Sequence, residues 1–240
     1  MVTVKTEGLT KRYGDTVAVD GLNLEIKRGE LFALLGVNGA GKSTTVKMLS
    51  CLVKPNEGEA FVGGCSVTRE RRRVKEMTGV SPQETAVAPN LSVRENLALM
   101  CGIYGLTKAQ SREKIETLTQ RLDLQAVLSK RAGKLSGGWQ RRLSIAMALI
   151  GEPEILFLDE PTLGLDVLAR SELWDVIREL KGRVTVILTT HYMEEAEALS
   201  DRIGIMKNGR LLVVGTAREL MERTHTDRFT DAFVAVVKGE

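Results

Sequence analysis

The sequence predicts an α/β fold in which a helical segment interrupts a core of alternating strands and helices. Three observations support this prediction. Short apolar runs such as "LFALL" (31–35) are followed by glycine, which is typical of strands buried on both faces of a parallel sheet. Apolar positions recur at helical spacing through residues 90–150, where no β-rich stretch occurs. Beyond residue 155, strand-like and helix-like stretches alternate again.

The composition fits one large domain or two small ones and gives no indication of a nucleic-acid partner, a disulfide framework or a cysteine metal site. Of the 240 residues, 43% are hydrophobic and 27% are charged, which suffices for a buried core. The net charge of +3 gives no reason to expect nucleic acid as a partner. Cys51, Cys65 and Cys101 match neither a disulfide framework nor a metal-ligand pair, and a reducing compartment suits them. With no secretory leader and no apolar run of about 20 residues, we expect a cytosolic chain.

Strands are predicted near the beginning of the chain and helices in its middle. The predicted strands cover residues 2–7, 22–27, 31–35 and 59–62. The arginines at 69 and 71–73 are interpreted as a solvated helix face. The predicted helices lie within residues 91–106, 107–124 and 137–151, and Ser92 and Thr107 are candidate helix caps.

The last third of the chain predicts further strands and helices, ending in an amphipathic helix. These elements are a strand at 155–159, a helix at 167–181, a strand at 184–190, a helix at 192–199 and a hairpin at 202–215 that turns at Asn208-Gly209. The final helix carries five apolar residues on one face, namely Phe229, Ala232, Phe233, Val236 and Val237. We expect this face to pack on the core, with a dimer contact as the alternative.

A glycine-rich stretch, "GVNGAGKST" (36–44), predicts a phosphate-binding loop. It fits the pattern G-x-x-x-x-G-K-[ST] and lies between a buried strand and a helix, as the mechanism requires. Glycines let backbone N–H groups converge on phosphate oxygens, and the helix start adds positive potential. Lys42 is expected to contact the β- and γ-phosphates, and Ser43 to ligate Mg²⁺. The candidate nucleotide-binding residues here are Gly36, Asn38, Gly39, Gly41, Lys42, Ser43 and Thr44.

A second motif, "EILFLDE" (154–160), places two carboxylates at the end of a strand. Asp159 is positioned to hold Mg²⁺, and Glu160 to polarise a water for attack on the γ-phosphate. Standing alone, such an acidic strand end is more simply a cap for the next helix. Beside a phosphate-binding loop, the two motifs together predict a Mg-nucleotide site.

These motifs do not by themselves choose among P-loop kinases, GTPases, motors and transporters. The chain lacks the Asn-Lys-x-Asp motif by which a GTPase recognises its base. Tyr13, in "KRYGD", is either an adenine-stacking aromatic or an ordinary surface or core tyrosine.

The stretch "LSGGWQRR" (135–142) indicates a second anion site at a helix start. Ser136, Gly137 and Gly138 would leave backbone N–H groups free for phosphate. At this point the chain resembles the ATP-binding subunits of ABC transporters, in which "LSGGQ" contacts ATP held by the P-loop of the opposing subunit. Two departures stand out: Trp139 replaces the usual Gln, and "LGLD" replaces "SALD". Both spellings, with "THYMEEAE", resemble the branch that serves ABC-2-type exporters.

The resemblance covers essentially the whole chain and implies a role for each matching residue. It implies a P-loop NTPase RecA-like core with an N-terminal antiparallel β portion (1–88 and 152–224), an inserted α-helical subdomain (89–151) and a C-terminal helix (225–240). The implied catalytic residues are Glu160, His191 and Gln83; the implied Mg²⁺ residues are Ser43, Gln83 and Asp159; and the implied nucleotide contacts outside the loop are Tyr13, Ser136, Gly137, Gly138 and Asp166.

The resemblance also implies partners. The chain has one P-loop and one signature motif, the name given in this family to the stretch matched by residues 135–138. A closed site needs one of each from two chains, so we expect a homodimer or a pair with a related subunit. ATP and Mg²⁺ are the expected cofactors, and a separate integral membrane permease is the expected partner at the cytoplasmic face of the membrane. We expect export, with import or a non-transport ABC ATPase as alternatives. A regulatory module that does not hydrolyse ATP is disfavoured by Glu160 and His191.

A groove for the permease is predicted near Gln83, in "SPQE", which matches the Q-loop glutamine of the family. The segment from Gln83 to Tyr104 holds more apolar residues than one helix needs to face its own core, namely Val87, Leu91, Leu97, Met100 and Tyr104. We expect part of this set to line an exposed surface.

Overall fold

Two β-sheets organise the molecule, whose residues 1–239 are described by a computed structural model. The strands are β1 (Val2–Tyr13), β2 (Thr16–Lys27), β3 (Leu31–Leu35), β4 (Glu57–Val62), β5 (Cys65–Ser66), β6 (Thr78–Ser81), β7 (Ile155–Asp159), β8 (Thr185–Thr190), β9 (Arg202–Lys207) and β10 (Arg210–Gly215). A four-stranded antiparallel sheet has the order β2-β1-β4-β5, and a six-stranded sheet has the order β10-β9-β3-β8-β7-β6. The predicted fold class, an α/β core with an antiparallel β portion, is confirmed.

The six-stranded sheet is the centre of the fold. Its strands run parallel except for the edge pair β9–β10. Every residue of β3, β7 and β8 is buried, as expected for parallel strands covered on both faces. The apolar runs in the sequence therefore identified the middle of the sheet correctly.

Helices cover the sheet and form the inserted segment. They are α1 (Lys42–Leu49), α2 (Arg71–Met77), α3 (Val93–Ile103), α4 (Lys108–Arg121), α5 (Gly137–Leu149), α6 (Val167–Leu180), α7 (Met193–Leu199), α8 (Ala217–Thr224) and α9 (Phe229–Lys238), with short 3₁₀ turns at Gln125–Val127 and Ala132–Lys134. Helices α3, α4 and α5 match the three predicted in the middle of the chain. Ser92 and Thr107 cap α3 and α4 through complete capping boxes, as predicted. No helix of residues 1–239 is long and apolar enough to cross a membrane.

The first two strands are longer than predicted. The expected strands 2–7 and 22–27 are parts of two 12-residue strands joined by a tight turn. Their pairing shifts register near Gly8, whose φ is +59°. Bulges of this kind let a strand continue past a glycine that would otherwise end it. The prediction of short strands was wrong because it treated such glycines as breaks.

Short elements with little apolar patterning were missed altogether. These are β5, β6 and α8, whereas α2 was anticipated only through its arginine-rich face. Helix α2 buries only Val74, so it carries no apolar stripe that a periodicity search could detect. The arginine-rich stretch does form a solvated helix face, since the Arg72 side chain is 92% exposed. Helix α8 begins with a capping box of Thr216 and Glu219.

The end of the chain follows the prediction. Strands β9 and β10 turn at Asn208 and Gly209, which both have positive φ (49° and 79°), as a two-residue hairpin of this type requires. Phe229, Ala232 and Phe233 bury one face of α9 against the main core. The interpretation of α9 as a helix packed on its own chain is therefore confirmed. The boundaries proposed for the subdomains stay a prediction.

Candidate nucleotide site

Three motifs meet at one edge of the parallel sheet because they follow neighbouring strands. Strands β3, β8 and β7 lie side by side and end at Leu35, Thr190 and Asp159. The predicted phosphate-binding loop, His191 and Glu160 come directly after these three ends. In α/β folds, ligands bind beyond the carboxyl ends of the strands. This topology brings together residues that lie more than a hundred positions apart in sequence.

The loop before α1 has room only for glycine at two positions. A Cβ on Gly36 would lie 2.4 Å from the Met206 carbonyl oxygen, and one on Gly41 would lie 2.4 Å from that of Ala18. Gly41 also has a φ of +103°, which L side chains rarely adopt. No side chain caps the start of α1. The first backbone N–H groups of the helix are therefore available to an anion.

Lys42 is buried at the bottom of this loop. Its side chain is 5% exposed, and its Nζ donates to the carbonyl oxygens of Gly36 (2.7 Å) and Val37 (3.3 Å). The same Nζ lies 3.3 Å from Oε1 of Glu160. The amine is thus held in place beside the Glu160 carboxylate and below the loop.

Asp159 accepts hydrogen bonds from two hydroxyl groups. Ser43 Oγ lies 2.8 Å and Thr189 Oγ1 lies 2.5 Å from Oδ1 of Asp159. These contacts join the loop, β7 and β8 at one point. A serine hydroxyl beside a carboxylate is an oxygen donor set that suits Mg²⁺, which prefers oxygen ligands and retains several waters.

Glu160 adopts an unusual backbone conformation. Its φ is +50°, and its N–H donates to the carbonyl and the hydroxyl of Thr189 (3.1 and 3.0 Å). Its Oε2 lies 2.7 Å from Nδ1 of His191. Non-glycine residues with positive φ cluster at functional sites, where surrounding contacts hold the strain. The contacts of Thr189 and His191 hold Glu160 in this way.

A cleft of about 550 Å³ opens above these residues. It is lined by ten of the predicted site residues, namely Tyr13, Asn38, Gly39, Gly41, Lys42, Ser43, Thr44, Gln83, Glu160 and His191. Tyr13 is 48% exposed, as suits a stacking platform. The sequence did not identify Thr16, Val17 and Ala18, which line the cleft on the strand after Tyr13. Their proximity to Tyr13 across the β1–β2 turn was the signal that could have identified them.

The signature residues and Asp166 lie outside this cleft. Ser136 and Gly137 are exposed at the start of α5, and Asp166 caps α6 by accepting from the Ala169 N–H (3.0 Å). A Cβ on Gly137 would lie 3.3 Å from the Leu165 side chain. The two helix starts are therefore packed together. The structure does not bring the signature to the phosphate-binding loop of the same chain.

Trp139 packs into the molecule. It is partly buried against the main core, and the Arg142 guanidinium lies 5.0 Å from its ring centroid. The following residue, Gln140, donates through Nε2 to the Leu135 carbonyl (3.2 Å). The departure from the family spelling thus contributes to packing at the start of α5.

Sequence reasoning also missed a buried carboxylate, Glu195 on α7. Its Oε1 accepts from Thr162 Oγ1 (2.8 Å) and from Trp174 Nε1 (3.1 Å), and its side chain is fully buried. Burial raises the pKa of Glu195, the hydrogen bonds lower it, and the nearby charge of Glu160 raises it further. This group links the segment after Glu160 to the helix after His191.

Comparison with known proteins agrees with the geometry. The chain matches the ABC transporter family over residues 19–163. It is 44% identical over 226 residues to the daunorubicin resistance ATP-binding protein DrrA3 of Streptomyces coeruleorubidus. This match covers 94% of this chain and 72% of that protein. It is also 41% identical over 230 residues to the probable multidrug ABC transporter ATP-binding protein YbhF of Escherichia coli (strain K12). That match covers 95% of this chain but 39% of the relative.

A solved structure extends the likeness to the fold. The ATP-binding cassette MJ0796, in a dimeric post-hydrolysis state bound to ADP and Pi, superimposes with a TM-score of 0.80 and 28% identity, covering 89% of this chain and 98% of that one. These findings confirm the resemblance drawn from the motifs. The chain belongs to the ABC transporter family, as one of its ATP-binding ATPase subunits.

Proposed function

We propose that this chain hydrolyses ATP in sites shared between two subunits, and that hydrolysis drives export through a separate membrane permease. The observation that carries the proposal is that Lys42, Glu160 and His191 line one cleft at the end of the parallel sheet. Asp159 contacts Ser43, which lines the same cleft. Each has the chemistry that phosphoryl transfer to water needs. Positioning and electrostatic stabilisation supply nearly all of the catalysis in such reactions.

The loop and Lys42 would bind the nucleotide's phosphates. The uncapped N–H groups at the start of α1 would donate to anionic oxygens, and the Lys42 amine would add a fixed positive charge. Ser43 and Asp159 would hold Mg²⁺, which neutralises charge on the phosphates when bound. Tyr13 would stack on the adenine at the open side of the cleft.

Glu160 would act as the general base. Its carboxylate is fixed by His191 on one oxygen and lies beside Lys42 on the other. A base held in one orientation accepts the proton of an attacking water without reorganising. Gln83 lines the same cleft and would orient that water.

A second subunit would complete each site. The signature residues do not line the cleft, so a nucleotide bound there would not contact them within one chain. Val167 and Leu168, in the first turn of α6 beside the signature, are 78% and 76% exposed. Adjacent apolar side chains this exposed mark an interaction surface. The dimeric state of MJ0796 supports a second subunit as the occupant.

Export and a permease partner are supported by two observations. The relatives DrrA3 and YbhF are named for drug resistance and multidrug transport. On α3, Leu99 and Ile103 are 49% and 67% exposed, and the adjoining Tyr104 is 40% exposed. Of the five residues predicted to contribute a groove, Leu97 is buried, Val87, Leu91 and Met100 are partly buried, and Tyr104 is exposed. The permease would dock here, and the subunit would then lie at the cytoplasmic face of the membrane.

The proposal is tested with purified chain, Mg²⁺ and ATP. Wild type is expected to release phosphate, whereas Glu160→Gln is expected to bind ATP but turn it over at least about a hundredfold more slowly. Light scattering is expected to detect ATP-dependent dimers of the slow variant. Nucleotide binding without phosphate release by wild type would identify a regulatory module instead.

A further inference from the structure

One face of α5 packs along the length of strand β6. Near the end of α5, the backbone approaches so closely that a Cβ on Gly79 would lie 2.4 Å from the Ala148 carbonyl oxygen. One turn earlier, the hydroxyls of Ser144 and Ser81 form a buried hydrogen bond of 2.8 Å. Positions 144 and 148 are four residues apart and so share one face of the helix. Helix and strand therefore pack closely along this face.

The same face carries Arg141, which lies where β6 gives way to irregular structure. Its Nη1 donates to the Pro82 carbonyl (2.6 Å), and its Nη2 donates to the Gln83 carbonyl (2.8 Å). These two residues follow the last residue of β6, so the sheet no longer pairs their backbone. The planar fork of a guanidinium matches two neighbouring oxygen acceptors. The Arg141 side chain thus anchors the Pro82–Gln83 backbone, where the Q-loop begins.

Arg141 is buried, and its surroundings are unusual for an arginine. Its side chain is 5% exposed, and no ion pair within residues 1–239 includes it. Burial lowers the pKa of its guanidinium, while the nearby charges of Asp159, Glu195 and Glu160 raise it. Carbonyl groups and the field of these carboxylates together compensate the cost of burying the cation.

Helix α5 has a second function at its other end. Ser136, Gly137 and Gly138 lie at the start of α5, and Arg141 lies five residues after Ser136. At 1.5 Å per residue, the two positions are about 7 to 8 Å apart along the helix axis. A shift of the helix start would therefore move the guanidinium, and the guanidinium would carry the Gln83 backbone with it.

We propose that Arg141 is a positioning residue that holds Gln83 at the cleft and couples its placement to the start of α5. The inference rests on the function proposed above, because it assigns Arg141 a role in the same hydrolytic site. Arg141 touches neither nucleotide nor attacking water; it acts through the Pro82–Gln83 backbone. Its loss is expected to slow turnover while leaving nucleotide affinity intact.

The adjacent residue, Arg142, provides a matched control. It is as buried as Arg141, at 6% against 5% exposure. Its Nη1 lies 3.1 Å from Asp123 and its Nη2 lies 2.7 Å from Glu172, both surface carboxylates. Arg→Lys at either position keeps the charge and removes the fork. Only the change at 141 should affect the Q-loop.

The test is a double-mutant cycle measured as kcat, KM and nucleotide affinity. R141K is expected to lower kcat about tenfold with nucleotide Kd changed less than about twofold, since a misplaced catalytic group costs rate rather than binding. R142K is expected to leave kcat within about twofold of wild type. In a Q83A background, R141K is expected to cause no further loss, because the group that it positions is already absent. A structural role alone would lower kcat by the same factor in both backgrounds, and that result would overturn the inference.

Hydrogen exchange supplies a readout that does not depend on activity. The peptide covering residues 83–92 is expected to exchange faster in R141K than in wild type or R142K, because the Gln83 carbonyl and the Pro82 carbonyl just before it lose their anchor. Equal exchange in R141K and R142K would refute the proposal. If R141K does not fold, the measurements are made on R141Q and R142Q, which bury no unpaired charge. Failure of wild type to hydrolyse ATP would refute the proposed function, whereas the exchange result still decides the role of Arg141.

Discussion

Nδ1 of His191 lies 2.7 Å from Oε2 of Glu160, so the two residues that directly follow the neighbouring strands β8 and β7 form one unit at the edge of the sheet. The histidine orients the carboxylate that would accept a proton from water. We expect His191→Ala to lower kcat about a hundredfold, the lower end of what a positioned proton-transfer group contributes. Steady-state phosphate release measures this change. The control is His225→Ala at an exposed position after α8, where kcat should not change.

A second prediction concerns Lys42, whose amine is fixed by two backbone carbonyls beneath the loop. Lys42→Ala is expected to lower ATP hydrolysis at least about a hundredfold, the scale of losing one electrostatic group in the transition state. Lys47→Ala, at an exposed position of the same helix, is the control. Near-normal turnover in the Lys42 variant would remove this residue from the site.

The stability of the fold is expected to depend on pH through Glu195. Burial raises the pKa of its carboxyl above the ordinary value of 4.5, so the folded chain binds this proton more tightly than the unfolded chain. The stabilising contribution of Glu195 is therefore complete below the unfolded pKa and is lost as the pH rises through the folded pKa. Denaturant unfolding at pH 5 and pH 8 should show that Glu195→Gln gains stability relative to wild type as the pH rises.

Glu194→Gln is the control for the loss of one negative charge, since Glu194 is exposed on the same helix. If the free energies of unfolding of Glu195→Gln and wild type differed by the same amount at both pH values, burial would not control the ionisation of Glu195. Oε1 of a glutamine at 195 retains the two hydrogen bonds from Thr162 and Trp174, so the comparison isolates the charge.

The sequence alone was sufficient to predict those site residues that lie in short contiguous motifs. Lys42 and Ser43 lie in a contiguous pattern, and Asp159 and Glu160 end an apolar run, so each could be identified locally. Glu195 and Arg141 could not be identified in this way. Their roles depend on partners that lie 33 and 58 residues away along the chain, Thr162 and Gln83. Contacts at such separations are set by strand order, which no local pattern encodes.

The surface proposed to bind the permease, at the end of α3, leads to a further prediction. Ile103 is 67% exposed, so Ile103→Glu should alter stability by no more than about 0.5 kcal/mol and leave phosphate release by the isolated chain unchanged. The charge should, however, prevent an apolar surface of the permease from packing there. Once cross-linking of wild type has identified the permease, co-purification of the two proteins measures the effect. Leu52→Glu, with 60% exposure after α1, should bind the permease as wild type does.

The two-subunit site is tested by mixing two inactive proteins. Lys42→Ala damages the loop half of both sites in a homodimer, and Ser136→Arg places a bulky cation at the signature half of both. Neither homodimer should hydrolyse ATP. In a mixed dimer, a signature that acts across the interface leaves one site with both lesions and the other with none. Random pairing makes about half of the dimers mixed, so activity should recover to roughly a quarter of wild type if one intact site turns over alone.

The opposite arrangement gives the opposite result. If the signature served the nucleotide of its own chain, every site in a mixed dimer would carry one lesion, and no activity would return. Strict alternation between two coupled sites would also prevent recovery, so ATP-induced dimerisation is measured in parallel by light scattering. Exposure of Ser136 at the start of α5, away from the cleft that holds Lys42, favours action across the interface. Absence of both recovered activity and ATP-dependent dimers would therefore refute the two-subunit site.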